Sequence, residues 1–267
     1  MGPHRNIFGY ISRIGLTGVL FLALLLTGCS STPDREESQD LARKSYEEAI
    51  SLQSLKMYDE MTAKLREAVK WDPEETLYQM TLANALFFQE KLDEAEKHYK
   101  ESIKINPQLT DGYRQLGRLY MQRGDWTNAQ IYLEDAISRP GLSQPHELYN
   151  WLAVTYYAQG KFSDAEQKWQ EALKIKENHQ IRLNLARAYR DNELFDLAQE
   201  SLEKALEVKP KSARAHYELA QLYLKKRDFG KARDSFNKVI RLDPLSEMSK
   251  SSRKYLELMP PGPKNGR

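Results

Sequence analysis

The side chain with the most reactive potential in this 267-residue chain is its only cysteine, Cys29. A cysteine sulfur can serve as a nucleophile, a metal ligand or an acyl acceptor, and its neighbours decide which. A nucleophile needs an oriented base beside it, and a metal site needs several ligands at close spacing. His98, His146, His179 and His216 are instead spread along the chain, with no His-x-x-x-His pair and no second cysteine. Neither a glycine-rich phosphate loop nor a Gly-x-Ser-x-Gly occurs. Acidic pairs such as Glu74-Glu75 and Asp93-Glu94 stand at expected helix starts, where carboxylates offset unpaired N–H groups and the helix dipole. The chain therefore reads as non-catalytic, with no cofactor and no metal expected, and acylation is the chemistry left for Cys29.

The surroundings of Cys29 agree with that. It closes Leu26-Thr27-Gly28-Cys29 directly after the apolar run 15–26, and the segment before it carries Arg5 and Arg13 but no acid. A basic start, an apolar core of about 7–15 residues and small residues at the cut make a secretory signal. Leu-Thr-Gly-Cys resembles a bacterial lipobox. That resemblance implies that residues 1–28 are removed and that Cys29 becomes the first residue, carries palmitate and holds the protein at a membrane. An uncut short anchor and a buried free thiol are the alternatives. Ser30 follows the cysteine where an inner-membrane retention signal would have Asp, so the resemblance implies an outer-membrane, periplasm-facing protein. The mature chain would have 267 − 28 = 239 residues and a formal charge of +2 − 2 = 0. A balanced charge gives no basic stripe for nucleic acid, so no nucleic-acid partner is expected. Polar residues 29–40, with Pro33, read as a flexible tether, and residues 260–267, with Pro260-Pro261-Gly262-Pro263, read as a disordered tail.

Between these ends the chain repeats. The stretches ending Trp71-Asp72-Pro73, Ile105-Asn106-Pro107, Val208-Lys209-Pro210 and Leu242-Asp243-Pro244 align, and Pro73 to Pro107 and Pro210 to Pro244 are both 34 residues. Units of helix–turn–helix follow at 42–75, 76–109, 110–145, 146–178, 179–212 and 213–245, with a capping helix at 246–258 whose Met248, Tyr255 and Leu258 are expected to face the last repeat. Each first helix pairs a large with a small residue: Leu82-Ala83, Leu116-Gly117, Leu152-Ala153, Leu185-Ala186 and Leu219-Ala220. Each second helix has an alanine (Ala95, Ala129, Ala165, Ala198, Ala232) and, four residues on, a bulky group (Tyr99, Leu133, Trp169, Leu202, Phe236). These spacings put the set on one helical face. Gly124 and Gly160 suit the turns between helices.

The period and these residues resemble the tetratricopeptide repeat. The resemblance implies an all-α superhelical solenoid of about six repeats over residues 41–259, whose first helices line a concave groove. Its groove positions are the second, fifth, ninth and twelfth of each unit. They supply the candidate partner-binding residues Met80, Asn84, Phe87, Arg114, Arg118, Met121, Asn150, Tyr157, Arg187, Arg190, Tyr217 and Gln221. Arg, Tyr, Phe and Met are types enriched at recognition surfaces.

A lipobox ahead of six such repeats resembles the type IV pilus biogenesis lipoproteins of the PilF/PilW/Tgl kind, the pilotins. The proline-punctuated link 138–145, running into Glu147-Leu148-Tyr149-Asn150-Trp151-Leu152-Ala153, is similar to that family. The resemblance implies a scaffold that assists assembly of an outer-membrane secretin, with secretin subunits as the protein partner. Arg114-Gln115 and Trp151 stand where that family carries asparagines, so of those asparagines only Asn150 carries over. A lipoprotein adaptor for peptidoglycan-remodelling enzymes or polysaccharide export would use the same parts.

Overall fold

The computed structural model describes residues 34–260, and among them every regular element is an α-helix. Cys29 and the signal expected before it lie outside the described residues, as does nearly all of the expected tail. The chain divides into two compact units, ending and beginning at Asp72 and Pro73.

The first unit is one helix pair, α1 (Arg35–Ser54) and α2 (Tyr58–Trp71). Asp34 caps α1 by accepting from the Glu37 N–H at 2.9 Å, and Glu36 and Glu37 sit in the first turn. The tether expected through residue 40 is thus helical from Arg35 onward. A capping carboxylate and an acidic first turn outweigh the polar composition. Ala42, Ser45 and Ala49 of α1 are buried with Met61, Thr62, Leu65 and Ala68 of α2.

The second unit holds five further pairs and a last helix. They are α3 (Thr76–Phe88) with α4 (Leu92–Ile105), α5 (Thr110–Arg123) with α6 (Trp126–Ile137), and α7 (Pro145–Ala158) with α8 (Phe162–Ile175). Then follow α9 (His179–Asp191) with α10 (Phe195–Val208), α11 (Ala213–Lys225) with α12 (Phe229–Leu242), and α13 (Glu247–Leu258). Each pair packs internally, and each second helix packs on the first helix of the next pair.

One turn recurs between the two helices of every pair. Lys56, Glu90, Gly124, Gly160, Glu193 and Arg227 all have φ between 58° and 76°. At each, the residue's own N–H and the next N–H reach back to the helix end: Glu90 N to Phe87 O at 3.0 Å and Lys91 N to Leu86 O at 2.9 Å, for example. This double bond pattern satisfies carbonyls left over at the helix end and favours glycine, which has no Cβ to crowd the left-handed backbone. Four of the six sites hold a side chain all the same.

The seam between helices is tight. Ala95, Ala129, Ala165, Ala198 and Ala232 are fully buried, as are Tyr99, Leu133 and Phe236, while Trp169 is 1% exposed. At Gly117 an added Cβ would lie 2.6 Å from Leu133 Cδ2, which is why the small member of that pair is glycine. Tyrosines of one first helix then bond acids on the preceding second helix. Tyr120 donates to Glu96 at 2.6 Å, Tyr156 to Glu134 at 2.6 Å and Tyr189 to Glu166 at 2.7 Å. Burial alone would raise the Glu96 carboxyl, but Lys100, Tyr120 and Arg123 all bond it and hold it down at about 2.

The link 138–145 is tied down. The Arg139 guanidinium lies 3.4 Å from the Tyr113 ring centroid, and Thr110 Oγ1 donates to the Pro140 carbonyl at 2.8 Å. At the far end, α13 packs through Ser249, Ser252 and Leu256, and Tyr255 stacks on Phe236 with centroids 5.1 Å apart. Leu258, expected on that face, is 73% exposed, while Met259 takes the buried place just past the helix end.

Candidate binding groove

First helices of neighbouring pairs touch: α5 with α7, α7 with α9, α9 with α11 and α11 with α13. Second helices do not pack on one another in this way. Within the second unit the first helices therefore lie on the inside of the stack, and their second, fifth, ninth and twelfth positions share that inner face. Two recesses open there. One, of about 300 Å³, is lined by Glu147, Asn150, Trp151, Asn178, Gln180 and Ile181. The other, of about 330 Å³, is lined by Arg190, Gln221, Leu224, Lys225 and Tyr255.

The expected residues fall into three groups along this face. At the first, Tyr99 Oη donates to Asn84 Oδ1 at 2.7 Å, and burial pushes the Tyr99 hydroxyl pKa up, with Arg118 nearby pulling against it. The Arg118 guanidinium covers the Phe87 ring at 4.6 Å and approaches Phe88 at 5.7 Å. Phe87, expected as a binding ring, is only 5% exposed; adjacent positions on a helix diverge, and the presented ring is Phe88 at 73%. Met80 is half-buried, with Sδ 3.1 Å from Ser102 Oγ, and Met121 packs partly into the core beside Tyr113. Arg114 pairs with Asp111 at 3.0 Å, and its Nε is shielded and unbonded.

The second group centres on Asn150. Its Oδ1 accepts from Trp169 Nε1 and from Asn184 Nδ2, both at 3.0 Å. Tyr157 packs beside the Trp169 ring and donates to Asp191 Oδ2 at 2.6 Å; burial first, then that bond, raises its hydroxyl to about 12. Arg187 is exposed in the same neighbourhood.

The third group is held by charge. Arg190 bonds Glu218, lies 3.3 Å from Asp191 and donates to Gln221 Oε1 at 3.3 Å. Tyr217 is half-buried, edge-on to Phe236. Asn184, Asp191 and Glu218 also shape the face without being among the expected groove residues, and Trp169 is expected only as a seam residue, because these groove contacts run between helices. Only the bulky slot at Trp169 had a periodic signal.

Three of the described histidines are held within the packing. His146 and His216 are buried, and His216 is lowered by that burial and by Lys238. His179 sits between the Ala205 carbonyl and Ser212 Oγ, each at 3.0 Å. Among the described residues no group of three His, Cys, Asp or Glu side chains could hold a metal ion.

Two family profiles described as tetratricopeptide repeat match the chain, one over residues 114–179 and 183–247 and the other over 77–109. A Drosophila melanogaster protein described as a BBSome complex member BBS4 homolog is 27% identical over 161 residues, 56% of this chain and 33% of that protein. The Hsp70-Hsp90 organising protein of Plasmodium falciparum is 25% identical over 163 residues, 59% of this chain and 28% of that protein. The chain thus spans about a third of the length of these relatives. Among solved structures, PilF of Pseudomonas aeruginosa superimposes with TM-score 0.65 at 15% identity, covering 84% of this chain and 100% of PilF. PilW, described as a widely conserved type IV pilus biogenesis factor, gives 0.70 at 17%, covering 79% of this chain and 97% of PilW. At these identities the likeness is one of fold.

Proposed function

The chain belongs to the tetratricopeptide repeat family, and we propose that it is a non-catalytic, lipid-anchored scaffold assisting outer-membrane assembly of a type IV pilus secretin. The observation that carries the scaffold reading is the division of first helices such as α3 and α9. One side spends its Leu–Ala pair on the buried seam, while the inner side leaves Phe88 and Arg187 to solvent over a floor of bonded polar groups. Exposed aromatic and arginine side chains over a fixed floor are what a protein partner needs to dock. The pilus assignment draws on the Leu-Thr-Gly-Cys29 sequence, the link 138–145 and the fold held in common with PilF and PilW.

The proposal is tested in the source organism by deleting the gene and reading secretin multimers on a gel together with surface pili. Loss of both, restored by the wild-type gene, supports it. Normal multimers remove the pilus assignment and leave the scaffold. A Cys29→Ala variant tests the anchor: it should leave the membrane fraction, and retention there after a high-salt wash overturns lipidation. Density fractionation tests the outer-membrane address.

A further inference from the structure

We propose that the inner face of the second unit takes an acidic segment of its partner protein, gripped by Arg118, Arg187 and Arg214. This rests on the scaffold reading and adds the partner's chemistry. The twenty groove positions of the five repeats in this unit hold five arginines and two carboxylates, although the chain after residue 28 is formally neutral. All five cations are arginine, while the chain as a whole has 22 lysines and 18 arginines. The guanidinium fork matches a carboxylate with two parallel hydrogen bonds, which an ammonium cannot do.

The internal acids do not use up this charge. Asp111 neutralises Arg114 at 3.0 Å, and Glu218 neutralises Arg190. Arg118, Arg187 and Arg214 have no carboxylate within ion-pair distance among the described residues. They sit on three different first helices, α5, α9 and α11. Phe87 and Phe88 hold Arg118 in place by ring contact, which leaves its N–H groups for a ligand. Arg187 and Arg214 are exposed. A flat bilayer cannot follow cations set on the inside of a stack, and an extended chain segment can.

Direct titration of the full protein tests this. The probe is a dye-labelled peptide of alternating glutamate and serine, with glutamine–serine and lysine–serine peptides and vesicles of anionic phospholipid as comparisons. The acidic peptide should bind, weaken as salt is added, and lose roughly fivefold or more in affinity with Arg187→Gln or Arg214→Gln. Both variants should keep the wild-type melting curve, since neither side chain holds the fold. Equal binding of the glutamine–serine peptide overturns the acidic assignment but leaves a polypeptide groove and the scaffold reading intact. Acidic-peptide binding that survives the Arg187→Gln/Arg214→Gln pair also overturns it, as does vesicle binding that depends on those arginines when no peptide binds.

Discussion

The seam between helices and the inner face are built on the same first helices, yet they obey opposite rules. Along the seam the same solution recurs: Leu82-Ala83, Leu152-Ala153, Leu185-Ala186 and Leu219-Ala220 are all within 5% of full burial. Along the inner face the ninth position runs Asn84, Arg118, Val154, Arg187 and Gln221, changing at every step. Packing asks only for shape, and each repeat meets the same shape, so one answer serves throughout. Recognition asks for chemistry, and a partner presents different chemistry at each step. The variable surface is the one the proposed partner would read, and the monotonous one is what holds it still.

Trp169 stands in both regions and offers the largest break of the comparison. Its ring is 1% exposed in the seam, while its Nε1 donates to Asn150 on the inner face. Trp169→Ala should cost about 3–5 kcal/mol in chemical denaturation through the cavity left behind. Trp169→Phe keeps much of the ring and removes the donor, leaving a loss of about 1 kcal/mol from the hydrogen bond. If Trp169→Phe costs as much as Trp169→Ala, the inner-face bond and not the packing carries the site, and the division drawn above fails there.

The Glu96 junction sharpens the same comparison with pH. Its carboxyl sits at about 2 in the folded chain against 4.5 for the free group. A lowered folded value means stability that is present in full above pH 4.5 and is lost as pH falls toward 2. Glu96→Gln should cost about 1.5–3 kcal/mol near neutral pH, the range for hydrogen bonds to a charged group. It should also flatten the stability profile across that acid window. An unchanged acid profile would show that the Tyr120, Lys100 and Arg123 bonds to Glu96 do not act as a set.

The seam was legible in the sequence because its signal is a period, and the period also locates things composition hides. Gly124 and Gly160 announce left-handed turns; stepping by the repeat from them reaches Lys56, Glu90, Glu193 and Arg227, which have the same positive φ without glycine. The start of α1 was misread because Pro33 and a polar run look like a tether, although Asp34 with Glu37 three residues on is a helix-start pattern. The inner face was legible only as positions. Whether Phe87 or Phe88 meets solvent, and that Arg190 is tied to Glu218 while Arg187 is not, depends on side-chain contacts between helices that no periodicity encodes. The turn sites give a smaller, stabilising test. Glu193→Gly removes the Cβ from a residue at φ 60°. Relief of left-handed strain should outweigh the added chain entropy and raise stability by up to about 1 kcal/mol. A loss of stability would mean that the side chain contributes more than its backbone conformation costs.

The smallest expected effect decides whether the two regions are separable at all. Arg187 is exposed and makes no ion pair among the described residues. Its neighbours on α9, Ala186 and Ala188, are buried at 2% and 0%. Arg187→Gln should therefore shift unfolding by less than about 0.5 kcal/mol, as surface substitutions away from packing features do. Ala186→Leu, one position away on the seam, should cost about 1–3 kcal/mol by overpacking. Hydrogen exchange then reads where the damage goes. After Ala186→Leu it should centre on α7 to α12, because each pair contacts only its neighbours; after Arg187→Gln it should be absent. If Arg187→Gln loosens the same helices as Ala186→Leu, the inner-face arginine is part of the scaffold's framework, and the face is no longer free to be specified by a partner.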